Sequence, residues 1–228
     1  MRPPLLAPVH REGWIFVGLF FICALLLNQL SGFLGVLGFI LTGWCLYFFR
    51  DPQRVTPTRE GLVVSPADGL IVSIIKVTPP SELGLKEGAW QRISVFLDVF
   101  DVHINRIPMD GRIKKSIYYP GKFFNASLDK ASEFNERQSL VLEVKKDREI
   151  AFVQIAGLIA RRIRCDVQEN QQVQTGERYG LIRFGSRVDI YLPEETPVFV
   201  IEGQRVIGGE SIIADFNSTE SSRSGAIR

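Results

Sequence analysis

Residues 13–49 contain no Asp, Glu, Lys, Arg or His, and Leu, Phe, Ile, Gly and Val make up most of them. A helix that is apolar all round cannot lie on the surface of a soluble protein, so this block must be covered by something equally apolar. It divides at Asn28-Gln29-Leu30-Ser31-Gly32. The halves are about 16 to 18 residues each, roughly 25 Å long at helical rise. That is slightly short of a ~30 Å hydrocarbon core. Two short spans closing into a tight helical hairpin are expected, with a shallow, half-inserted hairpin as the alternative. A secretory signal peptide fits poorly, because the apolar region is too long and no small-residue cleavage site follows it. Arg2 and Arg11 precede the block, Arg50 and Arg54 follow it, and the connecting turn is uncharged. The positive-inside tendency therefore puts both ends, and everything after residue 50, on the cytoplasmic face of the cell (inner) membrane. Tyr47-Phe-Phe-Arg-Asp-Pro-Gln-Arg54 runs from aromatic to basic, as expected at a membrane–water boundary.

Beyond this anchoring hairpin (residues 1–50) the pattern changes to short strands separated by Gly, Pro and Asp. Residues 62–74 read as strand, turn, strand, with 66–69 as the turn. Residues 92–100 read as a buried strand and 111–119 as another. Residues 122–138 lack a period of two and are expected to be loop with some helix. Residues 139–144 and 150–155 form a hairpin around Lys146-Asp147, and 155–163 suit strand better than helix. Turns are expected at 174–177 and 208–210. The fold class is thus mainly β, with roughly ten short strands over residues 51–216, and the polar, Ser-rich tail 217–228 is expected to be disordered. Ala67-Asp-Gly-Leu-Ile-Val72, Gly180-Leu-Ile182 and Gly209-Glu-Ser-Ile-Ile213 repeat the turn-plus-strand theme of lipoyl- and biotinyl-type barrel sandwiches. Lys130, in Asp129-Lys-Ala131, lacks the flanking alternating strands of a lipoyl attachment turn. A net charge of +2 gives no footprint for nucleic acid. Cys23, Cys45 and Cys165 are too scattered for a metal site or a disulfide framework.

One stretch of the β region carries more than packing. Arg183-Phe-Gly-Ser-Arg-Val-Asp189 sits within residues 179–193, which otherwise read as one strand. A glycine inside a strand marks a bulge, a bend or a close backbone approach. A Gly-Ser bond at such a kink is also where an intramolecular N→O acyl shift meets least hindrance, because glycine puts no Cβ in the path of the serine hydroxyl. A plain turn would explain the same pair. Of the two histidines, His10 precedes the hairpin as an interfacial polar residue. His103 is the obvious proton carrier, and Asp101 and Asn105 fall on its face of an extended segment. Asp68, in Ser65-Pro-Ala-Asp-Gly69, is either a turn residue or the acid that orients a base.

Tyr47-Phe-Phe-Arg-Asp-Pro52, Ser65-Pro-Ala-Asp-Gly69, Asp101-Val-His-Ile-Asn-Arg-Ile-Pro108, Phe134-Asn-Glu-Arg137 and Arg183-Phe-Gly-Ser-Arg-Val-Asp189 occur in that order. The series resembles phosphatidylserine decarboxylase, in the short, archaeal-type form of the pyruvoyl-dependent family, over residues 45–215. Phe184-Gly-Ser-Arg-Val-Asp189 is its most specific part; longer members carry Leu-Gly-Ser-Thr there. The resemblance implies decarboxylation of phosphatidylserine to phosphatidylethanolamine by a self-processing proenzyme. Ser186 would attack the Gly185 carbonyl, and elimination and hydrolysis would leave a pyruvoyl group at residue 186. A β chain (1–185) and an α chain (186–228) would stay associated, with a homo-oligomer expected and no external cofactor or metal. The pyruvoyl carbonyl would form a Schiff base with the substrate amine and accept the electrons left by carbon dioxide.

His103 is then the acid that protonates the product, and Asn105 and Arg106 bind substrate. Arg106 stands where longer members have a second histidine, so their processing triad does not carry over intact. Either His103 serves both steps, or processing rests on strain at Gly185 with Asp68 or Asp101. Phe123 and Phe124, beside Lys122, could dip into the lipid interface or pack in the core. Two other classes stay open: a membrane-tethered serine hydrolase using Ser186, His103 and Asp68, and a membrane-anchored barrel-sandwich adaptor in which Gly185-Ser186 is a plain bulge.

Overall fold

The computed structural model describes residues 7–121, 135–144, 148–157, 162–183, 185–221 and 223–226. They fall into two compact units. One holds the chain up to Gln53 together with Phe100–Val102, and the other holds Arg54–Val99 and the chain from His103 onward.

The first unit is a helical hairpin of α1 (Gly13–Leu30) and α2 (Gly32–Phe48). Ser31 is extended and ends the first helix, its N–H still bonded to the Leu27 carbonyl. The helices meet through small residues. Gly35, Gly38, Thr42 and Cys45 are buried at intervals of three and four along α2, and Val17 and Ala24 face them from α1. A Cβ on Gly38 would lie 2.7 Å from the Ala24 Cβ, so only glycine lets the backbones approach this closely. The rest of the surface is apolar and bare: Ile15, Leu19, Ile22, Leu26, Phe33, Val36 and Ile40 are each more than half exposed. Leaving such side chains in water forfeits roughly 1.5–3 kcal/mol apiece. For seven of them that is roughly 10–20 kcal/mol, as much as the whole stability of a small domain, about 5–15 kcal/mol. α1 is long and apolar enough to cross a membrane. Trp14, Phe16, Trp44, Tyr47, Phe48 and Phe49 gather at its open end, where the Arg50 guanidinium lies 3.7 Å over the Tyr47 ring.

Thirteen strands are described in the second unit. In chain order they begin with β1 (Leu62–Val64), β2 (Gly69–Val77), β3 (Trp90–Leu97), β4 (Ile104–Arg106) and β5 (Gly111–Tyr119). Then come β6 (Arg137–Val144), β7 (Arg148–Ala156), β8 (Ile163–Cys165), β9 (Gln172–Val173) and β10 (Arg178–Ile182). The last three are β11 (Ser186–Pro193), β12 (Arg205–Val206) and β13 (Ile212–Asp215). They form an eight-stranded sheet β12-β2-β3-β11-β7-β6-β5-β9, a three-stranded sheet β4-β10-β8 and the pair β1-β13. One core joins all three: Val63 and Ile213 from the pair, Tyr179 and Ile182 from the small sheet, and Ile93, Val95, Phe152, Val188 and Ile190 from the large one. A second cluster covers the outer face of the large sheet, where Leu83, of the short 3-10 turn Ser81–Leu83, packs on Val141, Val153, Ile155 and Tyr191.

The mainly β expectation holds, and β5 coincides with the strand read at 111–119. Three expectations need correction. β6 begins at Arg137, inside the stretch 122–138 expected to be loop with some helix. The strand read at 92–100 ends at Leu97. The run 179–193 is not one kinked strand. β10 pairs with β4 and β8, whereas β11 pairs with β3 and β7 in a different sheet. The turn at Lys146-Asp147, the Lys130 segment, Phe123 and Phe124 lie outside the described residues, as do 158–161.

Candidate active site

The crossing between the two sheets at residues 183–185 is where the chemistry-bearing residues collect. Gly185 has φ +63°, the left-handed region in which a Cβ is disfavoured by about 1–2 kcal/mol. Its N–H donates to Nε2 of His103 at 3.3 Å. A backbone amide can only donate, so Nε2 holds its lone pair and faces the corner as a base. The position of His103 follows from β4, which lies antiparallel to β10 with Ile104 opposite Leu181, and from the bond of Ile182 N–H to the His103 carbonyl. Sequence neighbours of the histidine thus run beside the strand that delivers Gly185.

Ser186 opens β11, opposite Leu97 on one side and Ala156 on the other. Strand alternation puts its side chain on the same inner face as Val188 and Ile190. It is completely buried, and its Oγ has no hydrogen-bond partner among the described residues. Asn105, also fully buried, accepts a 2.8 Å hydrogen bond at Oδ1 from Nε2 of Gln154. Gln154 is opposite Val188, one inner-face step from the Ala156–Ser186 pair. Asn105 Nδ2 and Gln154 Oε1 are buried without partners among the described residues. Three orphaned polar atoms therefore belong to Ser186 and the Asn105–Gln154 pair, and other buried hydroxyls of the large sheet, Ser94 and Ser139, also lack partners among the described residues. Leaving a buried polar group unpaired costs about 1–3 kcal/mol.

Gln154 is absent from the sequence-based set. Its signal was a glutamine inside β7, Arg148-Glu-Ile-Ala-Phe-Val-Gln-Ile-Ala156, which is buried at every position after the first. The Asn135-Glu136-Arg137 segment now has a role: Asn135 Nδ2 donates to the Ala156 carbonyl at 2.7 Å, and Ala156 N–H donates to the Glu136 carbonyl. Together they pin the end of β7 against which Ser186 is held. Glu136 also accepts from the Tyr118 hydroxyl, and burial, with that bond second, raises the Tyr118 pKa.

The other expected site residues lie in different surroundings. Asp68 bonds Arg54 at 2.6 Å and accepts from Gly208 N–H at 2.8 Å, so both its oxygens have partners of their own. Arg106 donates to the Gly176 carbonyl at 2.8 Å, and its stem lies against Gly209. That buried guanidinium ties β4 to the turn at Gly176. Asp101 is buried and falls with Phe100 and Val102 in the hairpin unit. Arg187 points to the outer face, where it pairs with Asp189 at 2.9 and 3.0 Å. Burial pushes the Cys165 thiol up, away from the reactive thiolate. Among the described residues no cluster of His, Cys, Asp and Glu could hold a metal ion. A cavity of about 370 Å³ beside Arg59, Val144, Arg148 and Phe216 lies at the far end of β6 and β7. Eight residues separate Arg148 from Ala156, roughly 26 Å along a strand, so that cavity is remote from Ser186.

A family model described as phosphatidylserine decarboxylase matches residues 41–214. The chain belongs to the phosphatidylserine decarboxylase family. Among its relatives, the phosphatidylserine decarboxylase proenzyme of Paramagnetospirillum magneticum is 59% identical over 221 residues, covering 97% of this chain and 92% of the relative. The proenzyme of the same name from Rickettsia akari is 58% identical over 208 residues, 91% of this chain and 90% of the relative. That of Rickettsia bellii is 57% identical over the same length and shares. The matched span takes in the end of α2 and the Gly185–Ser186 corner with its His103, Asn105 and Gln154 neighbours. The relatives' name, proenzyme, implies a processed form. Asn105 offers a buried amide donor that lacks an acceptor, and Ala156, the smallest side chain that keeps a Cβ, faces position 186.

Proposed function

We propose that this chain is a membrane-anchored decarboxylase of phosphatidylserine, made as a proenzyme that cuts itself between Gly185 and Ser186. The observation that carries the reading is the sheet crossing itself, where Gly185 is left-handed, hydrogen-bonded to a basic His103 Nε2, and followed by a buried serine with an unpartnered hydroxyl. In the processing step Ser186 Oγ attacks the Gly185 carbonyl carbon. The C–N bond to Ser186 breaks as the ester C–O bond forms, and the proton leaving Oγ is delivered to the freed nitrogen. His103 is the base for that transfer: breaking its bond to Gly185 N–H frees the Nε2 lone pair for the serine proton. Removal of the Cα proton of residue 186 then expels the Gly185 carboxylate, and water replaces the nitrogen, which leaves as ammonia. The carbonyl so formed supplies the electron sink for decarboxylation. Asn105 holds the oxygen at position 186, and His103 returns a proton to the substrate carbon after carbon dioxide has gone. The ion pair of Asp68 with Arg54 and the bond of Arg106 to Gly176 keep the turns around β4 in place. The apolar hairpin holds the enzyme at the bilayer in which a diacyl substrate stays, with both chain ends on the cytoplasmic side of the cell membrane.

A serine hydrolase would keep the chain intact and residue 186 a serine, so the number of chains separates the two readings. The test is carbon dioxide release from vesicles containing carboxyl-labelled phosphatidylserine, with wild type and Ser186→Ala side by side. Wild type should release label and run as two chains, and Ser186→Ala should do neither. Release of label by an intact Ser186→Ala chain overturns the reading.

A further inference from the structure

We infer that Gln154 is a positioning residue for the chemistry at Gly185–Ser186: it locks the Asn105 amide so that a fixed donor and a fixed acceptor face the inner side of β11. This rests on the self-processing reading above and assigns to it a residue outside the motifs that carry the family resemblance.

The argument starts from strand alternation. β7 sends Ile150, Phe152, Gln154 and Ala156 to the inner face and Ala151, Val153 and Ile155 to the outer cluster. Glutamine is the one polar member of that inner row. Ser186 is opposite Ala156 and Val188 is opposite Gln154, so Gln154 is the diagonal neighbour of Ser186. Diagonal Cα atoms in an antiparallel pair are about 7–8 Å apart, within reach of a long side chain. Gln154 uses its amide nitrogen on Asn105 Oδ1 at 2.8 Å, and both side chains are fully buried. A buried amide held at one oxygen cannot rotate, so Asn105 Nδ2 is fixed as a donor and Gln154 Oε1 as an acceptor. Exchanging oxygen and nitrogen in both amides keeps their mutual bond and again leaves one donor and one acceptor. Two neutral amides are suited to this task. They add no charge that would shift the basicity of His103, yet they place hydrogen-bonding atoms beside an oxygen whose charge changes during the reaction.

The experiment follows the rate of chain cleavage after synthesis of the full-length protein in vesicles, for wild type, Gln154→Leu, Gln154→Glu, Asn105→Ala and the double variant Asn105→Ala/Gln154→Leu. Loss of a residue that orients another typically costs 10–100-fold. Gln154→Leu should therefore cleave at least tenfold more slowly. Gln154→Glu keeps the shape; buried without a cation, its carboxyl stays protonated and can donate to Asn105 Oδ1, so it should cleave faster than Gln154→Leu. Because Gln154 acts through Asn105, the double variant should be no slower than Asn105→Ala alone. Cleavage of Gln154→Leu at the wild-type rate overturns the inference, as do single effects that multiply in the double variant. If Gln154→Leu fails to fold, Gln154→Met, which keeps the length and neither donates nor accepts at that position, decides by the same outcome. A wild-type chain that stays uncut refutes the self-processing reading itself, a result distinct from a cutting wild type with indifferent Gln154 variants.

Discussion

Ser186 and Arg187 are adjacent and equally hidden, at 0% and 2% exposure, but they are buried under opposite conditions. Arg187, on the outer face of the large sheet, has its countercharge two residues away on the same face. Asp189 meets it at 2.9 and 3.0 Å, and Arg92 of β3 approaches Asp189 at 3.9 Å. Ser186, on the inner face, is neutral and has nothing to bond, and the amides of Asn105 and Gln154 each leave an atom idle. An isolated ion buried in protein costs several kcal/mol, so the outer group is tolerable only as a pair. The inner groups cost about 1–3 kcal/mol each and remain unpaired. Unmet hydrogen bonds alone do not separate the faces, since the outer Ser94 and Ser139 hydroxyls are also buried without partners among the described residues. What sets the inner face apart is that its unpaired hydroxyl directly follows a left-handed glycine bonded to a histidine.

Substitutions on the two faces should therefore separate rate from stability. Short of removing the nucleophile itself, the largest effect on rate is expected at His103. His103→Gln keeps an acceptor for Gly185 N–H but cannot take a proton, and general acid–base catalysis is worth about 10²–10⁴ in rate. Cleavage followed by gel should slow by that factor while the melting temperature stays near that of wild type. Asp189→Ala comes next and should do the reverse. It leaves Arg187 buried without its partner and should cost about 3–5 kcal/mol in urea unfolding, with whatever protein remains folded still cleaving. Ser186→Ala should move stability least, within about 1 kcal/mol, because it removes a hydroxyl that had no partner. A strongly destabilised Ser186→Ala, or an Asp189→Ala that unfolds like wild type, would erase the distinction between the faces.

Much of this was readable from residue types. The missing charges over residues 13–49 announced two apolar helices, and the uncharged break at residues 28–32 announced the turn between them. His103, Gly185 and Ser186 stood out because few side chains carry protons or nucleophilic oxygen, and the fold brings all three together. The break at residues 183–185 was hidden for a physical reason. β10 is buried from its second residue and β11 up to its last, so neither shows the period of two that would locate a strand end. Their partners, β4 and β8 for one and β3 and β7 for the other, are decided by pairing across long stretches of chain. The bond of Arg106 to the Gly176 carbonyl could not be read from the sequence, because the two residues are 70 positions apart. Gln154 was passed over because an amide announces no chemistry until its neighbours are known.

The central claim is that residue 186 changes its chemical identity. The most direct measurement is the intact mass of the smaller chain from the purified protein, before and after borohydride treatment. The account predicts a fragment that begins at position 186, is lighter by one ammonia than a serine-initiated chain, resists Edman degradation and gains hydrogen on reduction. A single chain of full-length mass, or a fragment beginning with an ordinary serine, would contradict it.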